Sequence, residues 1–238
     1  MNQSSNVYRG IDYTRHKDFF SPNEHGNNPV FIIGAGAIGS FVALTLAKIG
    51  FGNITVFDFD KIDAVNIPNQ FYPLDSIGRS KVEVLKEEVD RYAGVEIKTV
   101  EERFLDQEIP EKCIMIATVD SMLAREIIFS SCVKRGMQNI TGMIDSRMAG
   151  TVYRVYTINH LNQRDYMSSW YPDSEAVQER CTSKSVIFNV CGIASIVCSQ
   201  AVKLAKNEEF EFEIYGDFKW HVHQATIATD HAKELVNT

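Results

Sequence analysis

Several chemistries are excluded by what this chain lacks. There is no Cys-x-x-Cys pair, and the five cysteines (Cys113, Cys132, Cys181, Cys191, Cys198) are odd in number and irregularly spaced. That pattern signals neither a disulfide framework nor a cysteine-rich zinc site. No Gly-x-x-x-x-Gly-Lys-Ser/Thr run occurs, which disfavours a P-loop kinase or GTPase. Basic residues do not predominate: the formal charge is −7, which gives no support for a nucleic-acid or anionic-membrane partner, since both reward a basic surface. The opening MNQSSNVYRG is too polar for a signal peptide. The most apolar late stretch, Ser185 to Leu204, is interrupted by Asn189, Ser195, Ser199, Gln200 and Lys203, so a buried helix is expected there rather than a membrane span. Internal repeats and low-complexity segments are missing too. The expectation is a reduced, cytoplasmic protein without a nucleic-acid or membrane partner.

What is present suits an enzyme-sized core. With 238 residues, 45% hydrophobic and 11% aromatic, the chain can form one α/β domain over residues 1–238. Val30 to Asp60 reads as a short apolar run, the turn Gly34-x-Gly36-x-x-Gly39, an apolar-periodic segment and a second apolar run ending in Asp58 and Asp60. The order is strand, glycine turn, helix, strand, acid. Gly34 permits the tight turn, Gly36 lets a phosphate approach the backbone, and Gly39 lets helix and strand pack closely. The helix N-terminus attracts anions, and an acid after the second strand suits ribose hydroxyls. A nucleotide is expected, and the turn alone admits NAD, FAD or ATP.

Along the chain, residues 1–29 form a polar N-terminal arm with Tyr8, Tyr13, Phe19 and Phe20 as anchors. Ala64 to Asp75 contains Pro68 and Pro73 and should be irregular. Helices are predicted over Ser76 to Ala93, Ser121 to Arg135 and Ser185 to Lys206, and strands over Glu96 to Val100, Cys113 to Ala117, Asn139 to Ile144 and Thr151 to Ile158. Residues 159–181 lack periodicity and read as a long loop, which in a compact domain is often functional. Glu209 to Ile227 alternates like a terminal hairpin around Gly216 and Asp217. The fold class is therefore α/β, Rossmann-like and doubly wound, with a mainly parallel sheet and a C-terminal antiparallel extension. Cys191 and Cys198 are expected in the core. His221 and His223 would share a strand face, where two histidines without a third ligand are more often packing residues than a metal site.

The run DFDKIDAVNIPNQF resembles the signature of the ThiF/MoeB/E1 family of ATP-dependent activators of ubiquitin-like and sulfur-carrier proteins. Asp58, Asp60, Asp63, Asn66, Ile67 and Gln70 fall in register with it. Gly78-Arg-Ser-Lys81 resembles the family's Gly-x-x-Lys, and Ala117-Thr-Val-Asp120 with Arg125 resembles its Asp-Ala-x-Asp-Asn and trailing arginine. The resemblance continues through Asp145-Ser-Arg147 to Cys181-Thr and the segment from Ser185 to Lys203.

This resemblance implies ATP and Mg²⁺ as cofactors, and a ubiquitin-like or sulfur-carrier-like protein as the partner whose C-terminal carboxylate is adenylated. Asp58 would take the ribose hydroxyls, with Asp60, Asn66, Gln70 and the Gly34, Gly36 and Gly39 turn around the nucleotide. Lys81 would neutralise phosphate charge, and Asp120 would hold Mg²⁺. Read without the family, Lys81 is a solvated lysine, Asp120 is a helix N-cap, and Asn66 and Gln70 are turn residues. Residues 159–181 would be the crossover segment over the active site. Cys181 at its end could form a thioester if Arg180, Lys184 and the next helix lower its pKa, or could be an ordinary cysteine. Relatives are generally homodimers, and Arg15 is a candidate to reach into a partner protomer's site. One position departs from the pattern: Asn69 stands where the family has an arginine, removing a bidentate phosphate ligand. Arg15, Arg125 and Arg147 are candidates to compensate. The alternatives are a NAD(P)-dependent oxidoreductase, or a catalytically weakened nucleotide-binding scaffold.

Overall fold

The computed structural model describes residues 7–171 and 186–227. The N-terminal arm begins as a two-stranded ribbon, β1 (Val7–Tyr8) and β2 (Ile11–Asp12), followed by the short helix α1 (Pro22–His25). This segment is folded onto the domain: Tyr13 and Phe20 are buried, and the Phe20 ring stacks on Phe51 at 4.6 Å between centroids. Phe19, expected as an anchor, faces solvent instead.

The next unit is β3 (Val30–Ile33), α2 (Ala37–Ile49) and β4 (Ile54–Phe57), with every residue of both strands buried. Continuous apolar runs of this kind belong to parallel strands covered on both faces. Residues 64–75 are irregular as expected, carrying two short 3-10 turns, Ala64–Asn66 and Leu74–Ser76. Helix α3 (Lys81–Ala93) begins later than Ser76, because that second turn and Gly78, at φ +89°, come first.

Then follow β5 (Lys98–Val100), β6 (Ile114–Ala117), α4 (Met122–Arg135), β7 (Gly142–Ala149) and β8 (Val152–Ile158). The chain continues with α5 (Gln163–Met167), α6 (Ile187–Lys206), β9 (Glu213–Asp217) and β10 (Val222–Thr226). The expected long loop therefore contains a helix in its described part. Strand β7 also runs past the predicted end at Ile144 through Asp145, Ser146 and Arg147, which pair with β8.

The sheet order is β10-β9-β8-β7-β6-β3-β4-β5. Strands β7, β6, β3, β4 and β5 are parallel, and β8, β9 and β10 continue the sheet antiparallel. This is the Rossmann-like arrangement with a C-terminal antiparallel extension. Alternate residues feed opposite cores: Val30 and Ile32 of β3 pack with residues of α2, α3 and α6, whereas Phe31 and Ile33 pack with residues of α4 and Tyr166 of α5. Helices thus cover both faces.

Helix α6 packs on α2 and buries Val190, Ile193, Ala194, Val197, Cys198 and Leu204 among its core positions. Its length and apolarity would suffice to cross a membrane, and half of its most apolar stretch is buried within the domain. Cys198 is in the core as expected, but Cys191, near the start of α6, is exposed. His221 precedes β10 in a turn at φ +53°, so it shares no strand face with His223.

Candidate functional site

In an open α/β sheet the crevice for a ligand forms outside the carboxyl ends of the strands, where strand order reverses. Here that point lies between β3 and β6: the chain goes from β3 out to β4 and β5, then returns to β6 and β7 on the other side. The glycine turn leaves β3 and the Thr118–Ser121 turn leaves β6, and Ile33 and Ala117 pair as the last residues of the two strands.

The three glycines of the turn answer to three different demands. Gly34 has φ +101°, and a Cβ there would lie 2.7 Å from the Thr118 carbonyl oxygen. A Cβ on Gly39 would overlap the Gly34 carbonyl oxygen and stand 2.6 Å from Thr118 Oγ1. At Gly36 a Cβ would meet nothing within 4 Å. Gly34 and Gly39 are therefore fixed by packing, whereas Gly36 borders open space at the start of α2. A backbone bare of side chains at a helix N-terminus is the surface on which an anion sits.

Asp58 braces this turn. Its Oδ2 accepts from Ala35 N at 2.6 Å and its Oδ1 from Asp60 N at 2.8 Å. Burial raises the Asp58 pKa above the ordinary carboxylate range, against the lowering effect of these bonds and of Lys81. The Ala35 carbonyl is held in turn by Tyr72, whose hydroxyl donates to it at 2.6 Å. Ser40 Oγ accepts from Phe71 N at 3.0 Å, so residues 66–72 are docked on the first turns of α2.

Within that loop, Asn66 Oδ1 accepts from Asp63 N at 2.8 Å, closing a capping box. Among the described residues Gln70 Oε1 is buried without a hydrogen-bond partner, as is the Ser80 hydroxyl beside Lys81. Buried polar atoms are normally satisfied, so these two fit a site completed by a polar ligand. Lys81 is not a solvated surface lysine: it is 6% exposed, and its ammonium donates to Asp60 Oδ2 at 2.9 Å. Asp60 is half exposed; its carboxylate holds Lys81, and its backbone N–H donates to Asp58 Oδ1.

The second wall is the turn from Thr118 to Ser121. Thr118 Oγ1 donates to Gly34 O at 2.7 Å, tying the two turns together. The N-cap of α4 is Ser121, not Asp120: Ser121 Oγ accepts from Ala124 N at 3.2 Å. The Asp120 carboxylate is thereby left exposed at the mouth of the site. Among the described residues no group of three or more His, Cys, Asp or Glu could hold a metal. One exposed carboxylate in the turn beside the glycine turn is nonetheless a donor set that suits Mg²⁺, which is usually bound by one or two carboxylates plus substrate phosphates.

Behind this turn, Asp145 is fully buried and takes Arg125 Nε on Oδ1 at 2.8 Å, and Arg147 Nε and the Tyr166 hydroxyl on Oδ2 at 2.7 and 3.0 Å. Arg147 also donates to the Ser169 carbonyl and hydroxyl and lies over the Tyr156 ring. Arg125 and Arg147 are thus engaged with Asp145, and neither is left to take the place of the arginine missing at Asn69. Arg15 is exposed in the turn between β2 and α1. Cys181, with Arg180 and Lys184, lies outside the described residues. Burial raises the pKa of Cys113 and Cys198, and of Cys132 to about 12, so these three thiols are inert.

Sequence reasoning missed Tyr72, Ser40, Thr118 and Tyr166. A tyrosine that braces a carbonyl 37 positions away leaves no local signal; only Thr118, inside a motif already singled out, could have been suspected.

Comparison with known proteins supports the family and the fold. The ThiF family model matches residues 24–233. The chain is 36% identical over 104 residues to the NEDD8-activating enzyme E1 catalytic subunit of Arabidopsis thaliana, covering 42% of this chain and 23% of that protein. It is 21% identical over 190 residues to the sulfur carrier protein ThiS adenylyltransferase of Escherichia coli, covering 77% and 74%. The crystal structure of E. coli MccB with ATP superposes with a TM-score of 0.69 at 17% identity, over 87% of this chain and 65% of that one, and so supports the fold. The chain thus spans under a quarter of the first relative and about two thirds of MccB.

Proposed function

The chain belongs to the ThiF family, and from that premise we propose that it adenylates a carboxylate. The C-terminal carboxylate of a ubiquitin-like or sulfur-carrier-like protein, or of a similar peptide, attacks the α-phosphorus of ATP. A carboxyl oxygen to phosphorus bond forms, the bond to the bridging oxygen breaks, and pyrophosphate leaves. Relatives named for NEDD8 activation and for ThiS adenylation support this substrate class. A further E. coli MccB structure holds AMPCPP together with MccA.

The observation that carries the reading is the convergence at the β3–β6 switch point. The open face of Gly36 lies there, Thr118 ties the two turns together, Asp120 is released from capping, and buried Lys81 is held from Asp60 on the adjoining β4 end. An attack of anion on anion needs cations to offset repulsion and a preorganised site to align the reactants. Gly36 N–H and the start of α2 bind phosphate oxygens, and Asp58 accepts from the ribose hydroxyls. Lys81 leaves Asp60 for the phosphates, while Gln70 and Asn66 complete the polar wall. Asp120 holds Mg²⁺, which when bound neutralises phosphate charge. In a homodimer, Arg15 of one copy serves the site of the other and offsets the arginine replaced by Asn69. The crossover segment with Cys181 would carry any later thioester step.

Pyrophosphate exchange tests the reading: carrier-dependent exchange of label into ATP is expected. ATP binding without exchange for any Gly-Gly-terminated carrier or peptide overturns it in favour of a weakened scaffold, for which Asn69 is the motivating residue. Thermal stabilisation by NADH and not by ATP–Mg²⁺ overturns it in favour of an oxidoreductase.

A further inference from the structure

The buried cluster around Asp145 has no part in the chemistry just proposed, yet it touches the site at one atom. Arg125 sits in the first turn of α4 and reaches backward. Its Nη2 donates to the Val119 carbonyl at 2.5 Å and to the Ser146 carbonyl at 3.0 Å, while its Nε donates to Asp145 at 2.8 Å. Val119 is the residue immediately before Asp120. The turn is also held on its other side by Thr118, which donates to Gly34, and closed by the Ser121 cap. Every residue flanking Asp120 is therefore tied down, and only the Asp120 carboxylate is left outside.

From this geometry we infer that Arg125 is a positioning residue for Asp120, and that Asp145 is the group that orients Arg125. This inference rests on the adenylation reading above. Its physical basis is the fork of the guanidinium, which bonds the Asp145 carboxylate on β7 and two carbonyls at once, Val119 in the turn after β6 and Ser146 within β7. A lysine supplies the charge but not the fork. Two arginines on one buried carboxylate are costly to desolvate, and pairs of this kind add little net stability over apolar packing. What the cluster gains is a fixed place for a carbonyl. A ligand carboxylate that must meet a metal is held within fractions of an ångström by such supporting groups, and their loss typically costs 10- to 100-fold in metal affinity.

The experiment is calorimetric titration of ATP into the full chain, in EDTA and in Mg²⁺, with melting temperatures recorded in parallel. For Arg125→Lys the expected result is ATP affinity in EDTA within about twofold of wild type, with the gain conferred by Mg²⁺ reduced at least about tenfold. Pyrophosphate exchange should then need a correspondingly higher Mg²⁺ concentration at half saturation. Tyr166→Phe deletes one hydrogen bond to Asp145 while keeping the ring, and should shift the Mg²⁺ gain in the same direction by a smaller factor. A lowered melting temperature with an unchanged Mg²⁺ gain in Arg125→Lys means a structural role only and overturns the inference. If Arg125→Lys does not fold, an unchanged Mg²⁺ gain in Tyr166→Phe overturns it alone, and a reduced gain sustains it. A wild-type protein that shows no Mg²⁺ gain at all overturns instead the assignment of Asp120 as the metal ligand, which separates the two failures.

Discussion

The two turns that wall the site are held by opposite means. The Gly34–Gly39 turn is fixed by the absence of side chains: Gly34 and Gly39 leave room for the Thr118 carbonyl and hydroxyl and for each other, and Asp58 and Tyr72 clamp Ala35 from either side. The Thr118–Ser121 turn is fixed by large side chains that reach it from elsewhere, with Arg125 linking Val119 to a carboxylate on β7. The first solution depends on close backbone packing, and its tolerance is steric. The second depends on a buried ion pair, and its weakness is a buried charge left unpaired when one partner is removed.

That contrast can be broken experimentally, beginning with the largest expected effect. Asp145→Ala strands two buried guanidinium groups and should destabilise the domain by about 3–5 kcal/mol in chemical denaturation; a loss below 1 kcal/mol would mean the β7 side is not held by ions. Asp120→Ala should reduce pyrophosphate exchange about 100- to 1000-fold with a melting temperature near wild type, since Ser121 caps the helix. Parallel loss of activity and melting temperature would show Asp120 to be structural after all.

Within the glycine turn the expected effects are smaller and separable. Gly39→Ala pushes a methyl into Gly34 and Thr118 and should cost about 1–3 kcal/mol of stability. Gly36→Ala meets no protein atom, so it should leave the melting temperature unchanged while weakening ATP binding about tenfold or more, roughly 1.4 kcal/mol. If both substitutions act on stability alike, the open face of Gly36 is not a ligand surface. The smallest effect is on pH dependence. Asp58 has a folded pKa raised mainly by burial, so its protonated form is favoured by folding. Its contribution to stability is present below the ordinary carboxylate range and is lost as pH rises through the raised value. The melting-temperature difference between wild type and Asp58→Asn should therefore shift against wild type over that window, whereas ATP affinity, which needs the carboxylate, should rise with pH. A flat difference would remove Asp58 from the linkage.

How much of the site could be read in advance follows the same division. Gly34, Gly36, Gly39 and Asp58 announce themselves because a strand, a tight turn and a helix demand particular residues at adjacent positions, whereas Lys81 is legible only through the resemblance to the family's Gly-x-x-Lys. The length of β7 and the helical character of Gln163–Met167 were misjudged. Asp145, Ser146 and Arg147 lie beyond the predicted strand end at Ile144 and join β7 by pairing with β8, where Arg125 and Tyr166, distant in sequence, satisfy the buried carboxylate. Asp120 is similarly ambiguous between metal ligand and N-cap on sequence, and Ser121 in the cap removes the second of these readings.

The sequence by itself determined the βαβ unit, the parallel sheet with its antiparallel extension and the identity of the nucleotide-type turn, because apolar periodicity and glycine placement act over a few residues. Only the tertiary structure decided that Lys81 is buried against Asp60 and that Asp120 stands free beside a turn fixed by Arg125. Those facts depend on pairings between charges far apart in the chain, which acquire their partners only when the strands are set side by side.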